Sequence, residues 1–136
     1  MTRFICGIDY DQLTPTRSSP EQVLTSRSIS AGDKAEFVIS NTNGYSAIAV
    51  TVKATYDSSA TTGVRVMWLY SANGVDFDSP EDAEDQGNYE DLSFSAGATR
   101  QRTVLIPIFQ NYIKIQIANL DSSGSVTVDV WVTKLR

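Results

Sequence analysis

Carboxylates are the most concentrated reactive side chains in this sequence. Six of them lie between Asp76 and Asp85, and half of the sixteen acidic residues lie between Asp76 and Asp91. No Lys or Arg occurs from residue 66 to residue 99. Oxygen ligands of this kind bind calcium, a fixed carboxylate pair hydrolyses glycosides, and an acidic surface attracts a basic partner. An acidic loop that is only solvated is the fourth interpretation.

The calcium hypothesis can be compared with the EF-hand pattern. In an EF-hand loop counted from Asp76, position five is a proline, position six is Glu81 instead of Gly, and position twelve is Gly87 instead of the bidentate Glu. The sequence therefore excludes an EF-hand, and no other cofactor is predicted. An irregular calcium site stays open, with these acidic ligands: Asp76, Asp78, Glu81 and Asp82.

The inventory of reactive residues argues against the common catalytic routes. Histidine is absent and Cys6 is the only cysteine, which excludes hydrolytic triads, zinc hydrolases and redox cysteine pairs. A carboxylate pair would need a cleft to fix its geometry, and the chain is small. We therefore expect that the protein is not an enzyme.

The charge balance limits the class of partner. The net charge is −5, and the eleven Lys and Arg residues are scattered singly, so no basic stripe is present to neutralise a phosphate backbone. No segment approaches the roughly 18 to 20 apolar residues of a membrane span. We expect neither nucleic acid nor membrane as a partner. The first residues lack a secretory apolar region, and we expect synthesis in a cytoplasm.

Alternating polarity is the dominant pattern beyond about residue 22. Every second residue from Val126 to Val132 is valine, with Thr, Asp and Trp between. A period of two is typical of half-buried β-strands, and Gly, Asn, Asp and Ser cluster between the candidate strands as turn residues. The sequence predicts about eight strands, at residues 23–30, 34–41, 48–53, 63–72, 88–95, 99–108, 113–117 and 125–134.

This pattern predicts an all-β chain, a single-domain antiparallel β-sandwich of jelly-roll type. Residues 1–22 lack a clear period and contain two prolines, so we expect an extended N-terminal arm before a sandwich domain at residues 23–136. The longest connection is the acidic segment between about residues 72 and 88, and connections of that length are often functional or mobile.

Two strands have apolar residues on both of their faces, although one face is enough to contribute to the core. If the valines of the last strand point inward, Trp131 points outward, where a partner, the arm or a sugar ring could cover it. On the strand near residue 67, Met67 and Leu69 form a second apolar face, which predicts a cover on both sides. A neighbouring subunit or the N-terminal arm could cover this second face. Long loops around a central strand are the alternative.

Charged residues supply the remaining interface candidates. Arg100 and Arg102 project together from the start of one strand, and they could pair with acidic residues of the same molecule or of an adjacent one. The second arrangement would be a head-to-tail contact within a homo-oligomer. The acidic candidates for such contacts are Asp82, Glu84 and Asp85.

One segment resembles a known group of proteins. Residues 64–79, VRVMWLYSANGVDFDS, are similar to the strand and turn "Y-S-x-D-G-x-x-[FW]-D" of small β-sandwich proteins among the structural proteins of tailed bacteriophages. The later SAGAT turn and IKIQI strand are similar in style, so that the resemblance covers about residues 45–134. Asn73 stands where Asp is more usual. The matching residues are Val66, Tyr70, Ser71, Asn73, Gly74, Val75, Phe77 and Asp78.

The resemblance implies a function in virion assembly. It predicts a head decoration, neck or tail component, synthesised in the host cytoplasm and located in the virion, with the major capsid or tail protein and copies of itself as partners. Carbohydrate-binding modules also use β-sandwiches. A module in which Trp131 or a nearby Tyr stacks on a sugar is therefore the alternative function.

Overall fold

The computed structural model describes residues 17–136 and, nearer the N-terminus, two short strands that pair antiparallel. Within the described residues, no helix is long and apolar enough to cross a membrane. The elements are β1 (Phe4–Ile5), β2 (Ile8–Asp9), β3 (Glu21–Ile29), β4 (Lys34–Ile39), β5 (Ala47–Tyr56), β6 (Val64–Ser71), α1 (Pro80–Asp85), β7 (Tyr89–Asp91), β8 (Thr99–Pro107), β9 (Tyr112–Asn119) and β10 (Val126–Leu135).

Eight of these strands form two four-stranded antiparallel sheets. Sheet I has the order β3-β10-β5-β8 and sheet II has the order β4-β9-β6-β7. The pairs are nested, because β3 pairs with β10, β4 with β9, β5 with β8, and β6 with β7. This arrangement is that of a chain folded into one long hairpin and then rolled into a sandwich, which is the jelly roll. The predicted all-β, jelly-roll-like sandwich is confirmed.

The core lies between the sheets and follows the alternation of the sequence. The alternate valines of β10 from Val126 to Val132 are buried, and so are the alternate aliphatic residues of β5 and β9. Removing one such side chain from water stabilises the fold by about 1.5 to 3 kcal/mol. The strand pairing is therefore in register with a continuous apolar layer, and a slip by one residue would expose it.

The predicted N-terminal arm falls mostly outside the described residues. At Ser18 the chain already contacts the end of β10, since the Ser18 amide donates to the Lys134 carbonyl at 2.8 Å and its hydroxyl accepts from the Lys134 amide at 2.9 Å. β3 begins at Glu21. Residues 18–21 thus run alongside the last strand of the sandwich.

A buried carboxylate joins two loops at one end of the sandwich. Asp121, between β9 and β10, is 1% exposed. Its Oδ1 accepts from the Thr61 amide, the Thr61 hydroxyl and the Thr62 amide at 2.8, 2.9 and 3.2 Å. Its Oδ2 accepts from the amides of Gly124 and Ser123 at 2.6 and 3.3 Å. Hydrogen bonds from Thr61 and Gly124 hold the pKa of the Asp121 carboxyl well below its usual range.

Candidate functional site

Part of the acidic segment folds into a short helix. The Ser79 hydroxyl caps α1 by accepting from the Asp82 amide at 3.1 Å, and Pro80 occupies the start of the helix. Gly87 follows the helix with a φ of 75°. Carboxylates in a first helical turn are favoured by the positive end of the helix dipole. Ser-Pro-Glu-Asp followed by a later Gly is a recognisable helix signal, although the segment was predicted to be a loop.

The helix covers the second apolar face of β6. Ala83 is 0% exposed and packs with Met67 and Leu69, both of which are buried, while Phe77 and Tyr89 pack at the margin. The cover therefore comes from the same chain, which corrects the prediction that a neighbouring subunit or the arm lies over these residues. Met67 and Leu69 are likewise corrected as interface candidates, because α1 keeps them from a partner.

Arg65 ties the acidic helix to sheet II. Its Nε donates to Asp91 Oδ1 at 2.7 Å, its Nη1 lies 3.6 Å from Glu84 Oε1, and its guanidinium lies 4.3 Å from the centre of the Tyr89 ring. The hydrogen bond to Asp91 raises the pKa of Arg65. The carboxylates in these pairs are partly solvated, so each pair stabilises the fold only modestly. Their main effect is to fix the position of α1.

The four predicted calcium ligands do not form a metal site. Asp76 Oδ2 accepts from the Asn73 side chain at 2.9 Å, and Asp76 and Asp78 belong to the turn after β6. Glu81 and Asp82 are built into the first turn of α1 instead. Across the described residues, no three His, Cys, Asp or Glu side chains lie close enough together to hold a metal ion. The proposed calcium ligand set is therefore wrong.

Asn73 organises the turn between β6 and α1. Its Oδ1 accepts from the Ser71 hydroxyl and from the amides of Val75 and Asp76, and its Nδ2 donates to Asp76 Oδ2. An Asp at this position could accept these hydrogen bonds but could not donate to Asp76. Asn73, where Asp would be more usual, thus adds a hydrogen bond to Asp76. The side-chain hydrogen bonds of Asn73 thus stabilise the conformation of this turn.

Replacing Gly74 with Ala should destabilise the protein by about 2 kcal/mol or more. Gly74 has a φ of 79°, and a Cβ there would stand 3.1 Å from the Tyr112 ring. Urea unfolding of the variant measures the loss. Gly44→Ala is the matched control, because Gly44 has a φ of 85° with nothing within 4 Å of the added Cβ. Equal losses in both variants would show that the Tyr112 contact contributes nothing.

The predicted charged candidates occupy separate places. Arg102 crosses the edge between the sheets, where it pairs with Glu90 and donates to the Asp91 carbonyl, so that its pairing is within the chain. Arg100 is exposed nearby on β8. Glu84 contacts Arg65. Asp82 and Asp85 are exposed on α1, and their contact with an adjacent molecule stays a prediction.

The outer face of sheet I is nearly free of charge. Among the outward residues of β10, β5 and β8, only Lys53 and Asp129 are charged, and they lie opposite each other. Arg17 is exposed at the border of this surface, opposite Leu135, and Leu105 is 63% exposed. We call this surface the threonine-rich face. The register of β10, β5 and β8 places its fifteen outward residues in five rows: Thr127, Thr55 and Thr99; Asp129, Lys53 and Gln101; Trp131, Thr51 and Thr103; Thr133, Ala49 and Leu105; Leu135, Ala47 and Pro107.

Trp131 lies on the threonine-rich face, as the inward position of its valine neighbours requires. It is partly exposed and is paired in register with Thr51 on one side and Gln22 on the other. The hydroxyls of Thr51 and Thr103 share a hydrogen bond of 2.8 Å in the same row. The structure thus keeps Trp131 as an interface candidate and adds Leu105, whose outward position follows from the alternation of β8 but was missed.

Comparisons with known proteins do not show a family for this chain. No protein-family model and no curated protein matches the chain. A solved structure with a similar arrangement is described as a novel family GH115 4-O-methyl-α-glucuronidase with specificity for decorated arabinogalactans. The match has a TM-score of 0.47 and 12% sequence identity, and it covers 86% of this chain and 16% of that chain. The present chain therefore spans less than a fifth of that protein's length.

Proposed function

We propose that the protein is a non-enzymatic structural component of a tailed-phage virion whose copies associate through the threonine-rich face. The composition of that face carries the proposal. Asp129 already accepts hydrogen bonds from the Gln22 side chain and the Ser26 amide, and Lys53 lies opposite it in register. The other outward residues of the three strands are uncharged. Removing such a surface from water costs little desolvation, and Leu105 and Trp131 gain from burial.

The size of the face suits a contact that is repeated in an assembly. Strands lie about 4.8 Å apart and same-face residues about 6.8 Å apart, so fifteen positions cover about 500 Å². Two copies would bury about 1,000 Å², which is near the lower limit for a specific interface. A two-fold contact needs only one self-complementary patch. Further contacts from a capsid or tail protein would strengthen it.

The acidic helix supports a second contact on the opposite side. Sheet II carries α1 on its outer face, so Asp82 and Asp85 point away from the threonine-rich face of sheet I. A basic surface on another virion protein would complement these carboxylates and increase the rate of association. The resemblance at residues 64–79 supports placement of both contacts in a virion.

Substituting Leu105 with Lys should weaken self-association at least about tenfold, because it replaces the most exposed large apolar side chain of the face with an unpaired charge. Sedimentation velocity across a concentration series measures the effect. Val38→Lys is the matched control, since Val38 is an exposed apolar residue on sheet II. A wild-type protein that stays monomeric at millimolar concentration, or equal behaviour of the two variants, would contradict the proposed face.

Mass spectrometry of purified particles tests the virion assignment separately. We expect the chain in particles of its phage at a copy number that is a multiple of the local symmetry. Particles that carry none of the chain while the infected cell contains it would overturn the assignment.

A further inference from the structure

The sandwich end opposite Asp121 carries a recess that the assembly function does not use. Its volume is about 320 Å³, and it lies between the turn after β6 and the turn between β8 and β9. Its walls combine one protruding aromatic ring with polar side chains. The lining residues are Tyr70, Ser71, Ala72, Asp76, Asp78, Phe109 and Gln110.

Phe109 provides the apolar wall and is 72% exposed. The ring is nevertheless held in place, because its centroid lies 5.6 Å from that of Tyr70 and the amide of the preceding Ile108 donates to the Ser46 carbonyl at 2.9 Å. Tyr70 is itself fixed by a hydrogen bond of 2.7 Å to the Pro107 carbonyl. Burial raises the pKa of Tyr70 to about 12, so the phenol remains a donor. The recess thus has an aromatic wall in which Phe109 packs against Tyr70.

The polar wall offers hydrogen-bonding groups that the described part of the chain leaves free. Asp76 uses its Oδ2 for Asn73, while its Oδ1, the Asp78 carboxylate and the Gln110 side chain make no hydrogen bond to the described residues. The carboxylates accept hydrogen bonds, and the amide both donates and accepts them. The backbone beneath is ordered, since the Asp78 amide donates to the Tyr70 carbonyl at 2.9 Å.

A second polar recess continues along the same turn. Asn111 and Tyr112, which follow Gln110, line a space of about 300 Å³ together with the loop between β4 and β5. That loop contributes hydroxyl and amide side chains from these residues: Ser40, Asn41, Thr42 and Asn43. The two recesses therefore flank one turn, and a ligand with repeated units could occupy both.

We propose that this end of the sandwich binds a glycan, with a non-acidic pyranose unit against Phe109 and a second unit beside Asn111. A pyranose has an apolar C–H face that packs on an aromatic ring and a rim of hydroxyls that pair with carboxylates and amides. Asp76, Asp78 and the nearby acidic helix repel acidic sugars. The site is distinct from Trp131, which lies on the outer face of sheet I.

A panel of neutral, amino-sugar and uronic-acid glycans, followed by calorimetric titration of the best neutral oligosaccharide, tests the site. We expect neutral or amino-sugar glycans to bind and uronic-acid glycans to bind more weakly. Phe109→Ala and Gln110→Ala should each reduce affinity, the first by about tenfold or more. Val75→Ala should leave affinity unchanged, because Val75 is exposed in the turn after β6 but does not line the recess.

The experiment separates this site from the assembly face. Phe109→Ala should self-associate like the wild type, and Leu105→Lys should bind the glycan like the wild type. Equal thermal unfolding midpoints of wild type and Phe109→Ala verify that the fold is intact. No binding across the panel at millimolar glycan, or unchanged binding by Phe109→Ala, would overturn the proposed site without affecting the assembly proposal.

Discussion

Replacing Asp121 with Asn should lower the midpoint of thermal unfolding by about 10 °C at neutral pH. The carboxylate accepts hydrogen bonds on both oxygens, from Thr61 and Thr62 on one side and from Ser123 and Gly124 on the other. An Asn amide can accept on one side only, and its NH₂ group then faces amide donors. Donors buried without an acceptor are costly. Scanning calorimetry measures the change.

Asp57→Asn is the control for this substitution. Asp57 also accepts from an amide in its own loop, that of Ser59 at 3.1 Å, but it is exposed to solvent. Water can replace the lost acceptor there, so we expect a shift of no more than about 2 °C. If the two variants lost the same stability, burial of Asp121 would not be the reason for its effect.

The effect of Asp121 should also depend on pH in a defined direction. Its folded-state pKa lies below the ordinary value of 3.8. The carboxylate therefore contributes its full stability above that value and loses it as the pH falls through the folded-state pKa. The difference in unfolding midpoint between wild type and Asp121→Asn should stay constant from about pH 7 to pH 5 and shrink from about pH 4 to pH 2. A constant difference across the whole range would contradict the assigned cause.

The strands were predictable because the alternation of apolar and polar residues that stabilises each of them lies within a short stretch of sequence. In β10, alternate valines face the core and polar residues face outward, so a period of two identifies both the strand and its buried side. The jelly roll then follows from the number and spacing of such strands. The same alternation predicts that Trp131 lies on the outer face, which the structure confirms.

The interactions of Asp121 were not predictable in the same way. Its partners at Thr61 and Thr62 are about sixty residues away in the sequence, and a single Asp in a Ser- and Gly-rich turn is typical of solvated loops. Only the pairing of β5 with β10 and of β6 with β9 brings these two loops to one end of the sandwich. Hydrogen bonds between two loops depend on which strands pair with each other, and local sequence patterns contain little information on strand pairing.

The recess beside Phe109 has a similar origin. Phe109 and Gln110 belong to a turn that the sequence identifies, but Asp76 and Asp78 come from another connection more than thirty residues earlier. The turn residues alone indicate only where the chain reverses. Their grouping into one polar and aromatic wall follows from the pairing of β6 with β9, which brings Ser71 next to Tyr112.

In the acidic segment, the many carboxylates made the one buried apolar residue difficult to recognise from the sequence. Among six carboxylates, Ala83 is the residue that faces the sheet, and one small apolar residue gives no detectable helical period. The segment is therefore neither a calcium loop nor a free loop, since its negative charges surround a single buried contact. Solvation of the carboxylates and burial of Ala83 are compatible because a helix presents them on different sides.

Replacing Ala83 with Lys should therefore destabilise the protein by about 2 to 3 kcal/mol. The side chain would have to enter the contact with Met67 and Leu69, or displace α1 and expose both residues.

Gln86→Lys is the matched control. It adds the same charge next to the end of the helix, where Gln86 is exposed and a cation is favoured by the helix dipole. Urea unfolding should show a loss only in Ala83→Lys, and limited proteolysis should cut that variant faster between residues 79 and 88. Because an added Lys relieves repulsion among the acidic residues in both variants, a loss confined to position 83 must come from the buried contact. Equal stability of the two variants would show that α1 is a solvated segment and not the cover of β6.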